Sequence, residues 1–168
     1  MKEIKFGTDG WRAIIADEFT TNNVSRVSLA VRNFLLEKQD NPKVVIGHDC
    51  RFGGQLFAET ASKILANQGI KVLLAKGYVS TPMVSLGVVN YKADLGIVIT
   101  ASHNPASYNG YKLKANFGGP LLPKEIKKIE EKIPKTNTED IESINFQELI
   151  EDKKIKDIDL ENDYLQHA

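Results

Sequence analysis

The sequence predicts an α/β fold built on a mixed, mostly parallel four-stranded sheet flanked by helices. Three observations predict it. Short apolar runs alternate with longer stretches of helical period. The runs are dense in β-branched residues and too short for buried helices. The stretches between them have readable helix ends. A chain of 168 residues suits a domain that buries roughly 70% of its unfolded surface on folding.

The first strand is Lys43-Val44-Val45-Ile46-Gly47, the second Ile70-Lys71-Val72-Leu73-Leu74, and the third Leu95-Gly96-Ile97-Val98-Ile99. Tyr111-Lys112-Leu113-Lys114 alternates apolar and charged residues after Asn109-Gly110. It is expected to be a half-exposed strand antiparallel to the third, with Lys112 on the exposed face of the sheet's edge. Val24, Val27, Val31, Phe34 and Leu35 repeat at helical spacing behind the capping residues Thr20 and Thr21. Phe57, Ala61, Ile64 and Leu65 form a second stripe, and Gly69 stands where a left-handed C-terminal cap belongs. Thr81 is read as the N-cap of a third helix, with Pro82 at its first position. Pro123 opens a fourth helix that turns Ile126, Ile129 and Ile133 inward before Pro134 stops it.

From Lys124 onward the chain is dense in charge of both signs and reads as a solvated outer layer. Residues 134 to 145 read as a polar connector, and Phe146 to Ile155 as a short helix or strand. The organisation expected is a domain over 1–134 followed by a C-terminal extension over 135–168.

Composition narrows the function classes. Hydrophobic residues make up 42% and charged residues 26%, which argues against disorder as the main state. Twenty-two Lys and Arg balance twenty-two Asp and Glu, so no global basic field exists to bind nucleic acid or a membrane surface. The lone Cys50 cannot form an internal disulfide, and the three His show no metal-ligand spacing. Met1 to Lys5 lead into no signal-like apolar stretch, and no run approaches the roughly 18 apolar residues of a membrane span. A cytoplasmic location is the expectation.

Three segments could carry chemistry. Thr100-Ala101-Ser102-His103-Asn104-Pro105 follows the third strand directly, and ligands gather at the carboxyl ends of strands in open α/β sheets. Composition alone balances a working Ser102 against an ordinary hairpin loop. The glycines of a nucleophile elbow are missing around Ser102, which demotes acyl transfer and a serine hydrolase. A phosphorylated serine would need cations nearby, and His103, Lys112, Lys114 and Arg12 are the candidates. The second segment, Phe6-Gly7-Thr8-Asp9-Gly10-Trp11-Arg12, is glycine-rich and ends in a guanidinium suited to phosphate, or is a tight turn with Trp11 on the core. It is neither a Walker loop nor a dinucleotide fingerprint. The third, Gly47-His48-Asp49-Cys50-Arg51, lands on the same sheet edge as Ser102. Asp49 and Arg51 are read as a pair holding loops together, Cys50 as a small packing residue and His48 as a hydrogen-bonded loop residue.

Together, Gly7-Thr8-Asp9-Gly10-Trp11-Arg12, Gly47-His48-Asp49-Cys50-Arg51 and Thr100-Ala101-Ser102-His103-Asn104-Pro105 with Asn109-Gly110-Tyr111-Lys112 resemble the first domain of the α-D-phosphohexomutases. The resemblance runs from about Ile4 to Lys114 and implies a three-layer α/β/α domain. It implies that Ser102 is the phosphoserine, which exchanges its phosphoryl group with a glucose or mannose 1- or 6-phosphate through a bound bisphosphate. Arg12 and Lys112 match positions beside that serine which assist proton transfer or neutralise charge, and His103 follows the serine as in related enzymes. Hexose 1,6-bisphosphate is implied as activator.

One Mg²⁺ is also implied, held by a phosphoserine oxygen and three aspartates of a D-G-D-G-D-R-like loop. That loop does not occur in this sequence. Asp9, Asp49 and Asp94 do not match it, so only Ser102 is assigned to the metal. The sugar-discriminating G-E-x-S-G-H loop is missing as well. The chain is therefore expected to be a first domain whose extension leads toward a second, with the phosphosugar and the remaining domains as its partners. Alone it is expected to turn over little or no substrate. The alternatives are a phosphopentomutase or phosphoglucosamine mutase of the same family, or a non-catalytic phosphosugar-binding module.

Overall fold

The computed structural model describes residues 3–167. Met1, Lys2 and Ala168, where the readings of the two chain ends fall, lie outside the described residues. The architecture is the expected α/β class, with one sheet between two helical layers. The sheet has six strands rather than four, in the order β1-β5-β4-β2-β3-β6.

In chain order the elements are β1 (Trp11–Ile14), α1 (Thr21–Leu36), β2 (Lys43–His48), α2 (Gly54–Asn67), β3 (Lys71–Ala75), α3 (Thr81–Asn90) and β4 (Leu95–Ile99). They continue with β5 (Tyr108–Ala115), α4 (Pro123–Glu130), α5 (Phe146–Glu151), β6 (Ile155–Ile158) and α6 (Leu160–His167). β2, β3, β4 and β6 run parallel, and β5 runs antiparallel to β4 as expected. The two added strands are four residues each. Such strands carry too few residues for a periodic signal, and what specifies them is a partner distant in sequence. β1 pairs with β5 through Trp11↔Tyr111 and Arg12↔Gly110, while β6 extends the parallel ladder from β3 through Val72↔Ile155. Lys156 and Asp157 are exposed in the middle of β6, which hides a strand inside a charged segment.

Alternation along the central strands divides the core between the two layers. Val44, Ile46, Ile97 and Ile99 face the larger cluster, packed by Val27, Val31, Phe34, Phe57, Ile64 and Ile129 of α1, α2 and α4. Val45, Leu73 and Val98 face the smaller cluster, closed by Val84 and Val88 of α3 and Leu160 of α6. Both faces of β2 and β4 are thus buried, which is why they read as unbroken apolar runs. In the larger cluster the Ser28 and Tyr111 hydroxyls pair at 3.1 Å. Burial pushes the Tyr111 phenol's pKa up, partly offset by that hydrogen bond.

Local signals hold at most helix ends. Thr20 caps α1 by accepting the Asn23 N–H, and Gly69 takes φ 89° just beyond α2, a conformation open to glycine at little cost. In α3 the cap is Ser80 rather than Thr81; its hydroxyl accepts the Met83 N–H, which moves Pro82 to the second position. α4 stops at Glu130, with Ile129 buried and Ile126 and Ile133 half-buried against the core.

Asn109-Gly110 lies inside β5 rather than ahead of the strand. Its neighbours are already in place: a Cβ on Gly110 would stand 2.5 Å from the Thr100 carbonyl oxygen and 3.0 Å from that of Trp11. Because β1 lies outside it, β5 is not an edge strand, and Lys112 and Lys114 are buried rather than half-exposed.

The segment beyond residue 134 is tied down at several points. Arg26 donates to the Pro134 carbonyl at 2.7 Å, and Ser25 donates to Asn137 at 2.7 Å. Residues 135–168, set apart by sequence as an extension, contribute β6 to the same sheet and α6 to the α3 layer.

Phe19 is fully buried, stacked on Trp11 at 4.7 Å and meeting Phe57 edge-on at 4.7 Å, so it ties β1 to α2. Phe19→Ala is expected to cost about 3–5 kcal/mol in urea unfolding, the range for deleting a buried aromatic ring. A loss below about 1 kcal/mol would show that this contact does not anchor β1.

Candidate active site

The site begins with two parallel strands that end together. His48 of β2 is opposite Ile99 of β4, and the Asp49 N–H extends that ladder by donating to the Ile99 carbonyl. The segments that follow, 49–51 and 100–108, therefore share one edge of the sheet.

Asp49 organises both. One carboxylate oxygen accepts the Arg51 backbone N–H at 3.0 Å, and the other accepts the Thr100 hydroxyl. The same Thr100 oxygen accepts the Ser102 N–H at 3.1 Å. Ser102 takes φ 54°, in the left-handed region that non-glycine residues seldom occupy, at a cost of order 1–3 kcal/mol. Its side chain faces solvent, with Oγ 3.4 Å from His103 Nδ1.

The Arg51 guanidinium closes the loop. It donates to the carbonyls of Ser102 (2.8 Å), Asn104 (2.6 Å), Pro105 (2.8 Å) and Tyr108 (3.0 Å), and its Nε lies 3.7 Å from Asp49. The reading of Asp49 and Arg51 as a pair holding loops together matches this arrangement. Cys50 between them is exposed, not packed. His48 is nearly buried at the end of β2, its Nδ1 2.9 Å from the Asp49 carbonyl and its ring against Tyr78.

Arg12 reaches the same loop from β1. Its guanidinium donates to Asn104 Oδ1 at 2.8 Å and to Asp9 Oδ2 at 3.3 Å. The Lys112 ammonium lies 2.6 Å from that same Asp9 oxygen. One half-exposed carboxylate thus gathers two cations, and Arg12 links them to the serine loop. The sequence singled out Arg12 and Lys112 but left Asp9, Asn104 and Thr100 without these roles; the Asp9-x-x-Arg12 spacing was the one local hint. A shallow cleft of about 320 Å³ opens here, lined by Lys5, Gly7, Thr8, Asp9, Gly10 and Arg12.

Lys114 lies two residues along β5 on the Lys112 face. Burial lowers its pKa; the Asp9 charge opposes that shift and the Lys112 charge adds to it. Among the described residues no three His, Cys, Asp or Glu side chains converge to hold a metal ion. A complete divalent-cation site does not fit the described residues.

A lysine whose folded pKa is depressed is most costly while protonated. Unfolding takes up protons between that depressed value and 10.5, so Lys114's penalty is present at neutral pH and fades as pH rises through this window. Lys114→Met is expected to raise the urea midpoint at pH 7, with an advantage that shrinks toward pH 10.5. An advantage independent of pH would contradict this reading.

Known proteins resemble this chain in sequence and in fold. The sequence profile of the phosphoglucomutase/phosphomannomutase α/β/α domain I matches residues 3–140. A phosphoglucomutase of Staphylococcus saprophyticus is 36% identical over 157 residues, covering 91% of this chain and 28% of its own length. A phosphoglucosamine mutase of Clostridium tetani is 35% identical over 164 residues, covering 97% of this chain and 36% of its own. The crystal structure of a candidate phosphomannomutase from Thermus thermophilus superposes with a TM-score of 0.85 at 37% identity, over 98% of this chain and 35% of that one. The chain thus spans about a third or less of these relatives. By sequence and by fold, it belongs to the phosphoglucomutase/phosphomannomutase family as its α/β/α domain I.

Proposed function

We propose that the protein carrying this domain interconverts hexose 1-phosphate and hexose 6-phosphate of glucose or mannose, with Ser102 as phosphoryl carrier. The observation that carries this reading is the Ser102 hydroxyl, exposed on a loop held at a strained φ and linked through Asn104 to Arg12. In the forward half-reaction the P–Oγ bond of phosphoserine breaks and a P–O bond forms to the free sugar hydroxyl. The hydroxyl proton passes to the Asp9 carboxylate, which the Lys112 ammonium holds in place, and Ser102 is left as an oxyanion that takes a proton from the His103 imidazolium, with Arg12 supplying charge alone. Turning the bisphosphate over and reversing these steps returns the other phosphoryl to Ser102.

Arg12 and Lys112 supply charge for the transferring group, whose equatorial oxygens spread negative charge, so positioning and cations contribute most of the acceleration. A phosphate monoester is among the slowest esters to hydrolyse unaided, which makes phosphoserine a durable carrier. Hexose 1,6-bisphosphate would load the serine, and one phosphoserine oxygen would be this chain's contribution to a Mg²⁺ site. The phosphosugar and further domains of the same enzyme are the partners in this reading, and the cytoplasm its location. The likeness to a phosphoglucosamine mutase supports an amino sugar as the second substrate reading.

Incubation with glucose 1,6-bisphosphate and Mg²⁺, followed by intact and peptide mass analysis, is expected to place one phosphoryl group on Ser102. Modification confined to Thr100 or Ser107, or none, counts against the carrier role. Lys112→Met is expected to slow transfer by about 10²–10⁴-fold, the usual contribution of a positioned acid or base. Because Lys112 is buried against Asp9, a modest fall in melting temperature is compatible with this; a complete loss of folding is not.

A further inference from the structure

Arg51 is the most highly connected side chain at the sheet edge, and the proton and charge steps above leave it unused. Its two terminal nitrogens each serve two backbone carbonyls, and all four belong to the serine loop, 51 to 57 positions away in sequence. A planar guanidinium with fixed N–H directions fits such a set, and an ammonium cannot reproduce it. The carbonyls of Ser102, Asn104, Pro105 and Tyr108 consequently converge on one cation. Peptide planarity carries this further. The carbonyl of Ser102 and the N–H of His103 point in opposite directions across their shared peptide bond, so drawing the carbonyl inward turns that N–H outward. The Ser102 peptide is held from its other side as well, its N–H bound by Thr100, which Asp49 orients in turn.

With its donors on four carbonyls and Nε beside Asp49, the guanidinium is committed to backbone and carboxylate, not to an incoming anion. Its side chain is 14% exposed, consistent with a clamp under the loop.

We propose that Arg51 is a positioning residue for phosphoryl transfer: by binding the Ser102, Asn104, Pro105 and Tyr108 carbonyls, with Asp49 and Thr100 holding the opposite side, it keeps Ser102 at positive φ with its hydroxyl exposed beside His103. This rests on the reading of Ser102 as carrier. Arg51 contacts no reacting atom. It acts through the backbone of the residue that does, so its loss should lower the transfer rate while leaving the bisphosphate's affinity in place.

The test compares wild type with Arg51→Lys, which keeps the charge but not the fork. The rate of Ser102 phosphorylation by glucose 1,6-bisphosphate is measured by mass analysis over a range of donor concentrations. Backbone NMR of residues 100–108 is recorded on the same samples without donor. The expected result is a maximal rate lower by roughly 10²-fold, the scale for about 1 Å of misplacement, with half-saturating donor concentration unchanged. Ser102 is also expected to lose its single positive-φ conformation while the β2–β4 amides keep their shifts. Retention of both rate and conformation would overturn the proposal. So would a rise in half-saturating donor concentration at constant maximal rate, which would make Arg51 a direct phosphate contact. Arg51→Gln carries the same readouts if the lysine variant does not fold, and loss of the sheet in both would assign Arg51 to stability alone and overturn the positioning role. If wild-type Ser102 takes no phosphoryl group, the carrier reading fails, while the NMR comparison still decides whether Arg51 sets the loop.

Discussion

The parallel, in-register pairing of β2 with β4 is the constraint on which the site depends. Both strands are buried on both faces, and a slip of one residue would exchange Val44 and Ile46 with Val45 between the two helical layers. The core therefore fixes where each strand stops. Because they stop together, Asp49 and Arg51 stand beside Thr100 and Ser102, and five hydrogen bonds from the Arg51 and Thr100 side chains then tie the loop. Packing sets the register, and the register delivers the polar network.

The second delivery comes from the antiparallel pair β1–β5, which brings Arg12 opposite Gly110 and Lys112 under Asp9. Gly110 is required because the carbonyls of Trp11 in β1 and of Thr100 just past β4 crowd the place of its Cβ. Asp9 lowers the cost of holding two cations close together, and that closeness suits a dianionic group. A chain with no net charge can still concentrate positive charge locally, provided that strand pairing brings the residues together.

Rigidity in this arrangement lies beneath the serine rather than around it. The hydroxyl remains exposed while the backbone that carries it is bonded from both sides. A strained residue persists only where its surroundings over-determine it, and the loop meets that condition through backbone carbonyls that any residue type would supply. The Asp49–Arg51 pair is legible in the sequence, but the four backbone carbonyls that Arg51 binds are not.

Much of the fold was legible because its signals are local. The apolar runs of β2, β3 and β4, the stripes of α1 and α2 and the caps at Thr20 and Gly69 each depend on residues within one or two turns of chain. The sequence by itself determined the α/β class, the serine loop and the meeting of segments 47–51 and 100–105 at one sheet edge. Only the tertiary structure decided that β1 and β6 complete the sheet, that Asn109-Gly110 lies within a strand, and that Asp9 joins Lys112 to Arg12. Four-residue strands and side-chain-to-carbonyl bonds spanning more than fifty positions leave no periodicity in a sequence, because what stabilises them is a partner that folding brings near.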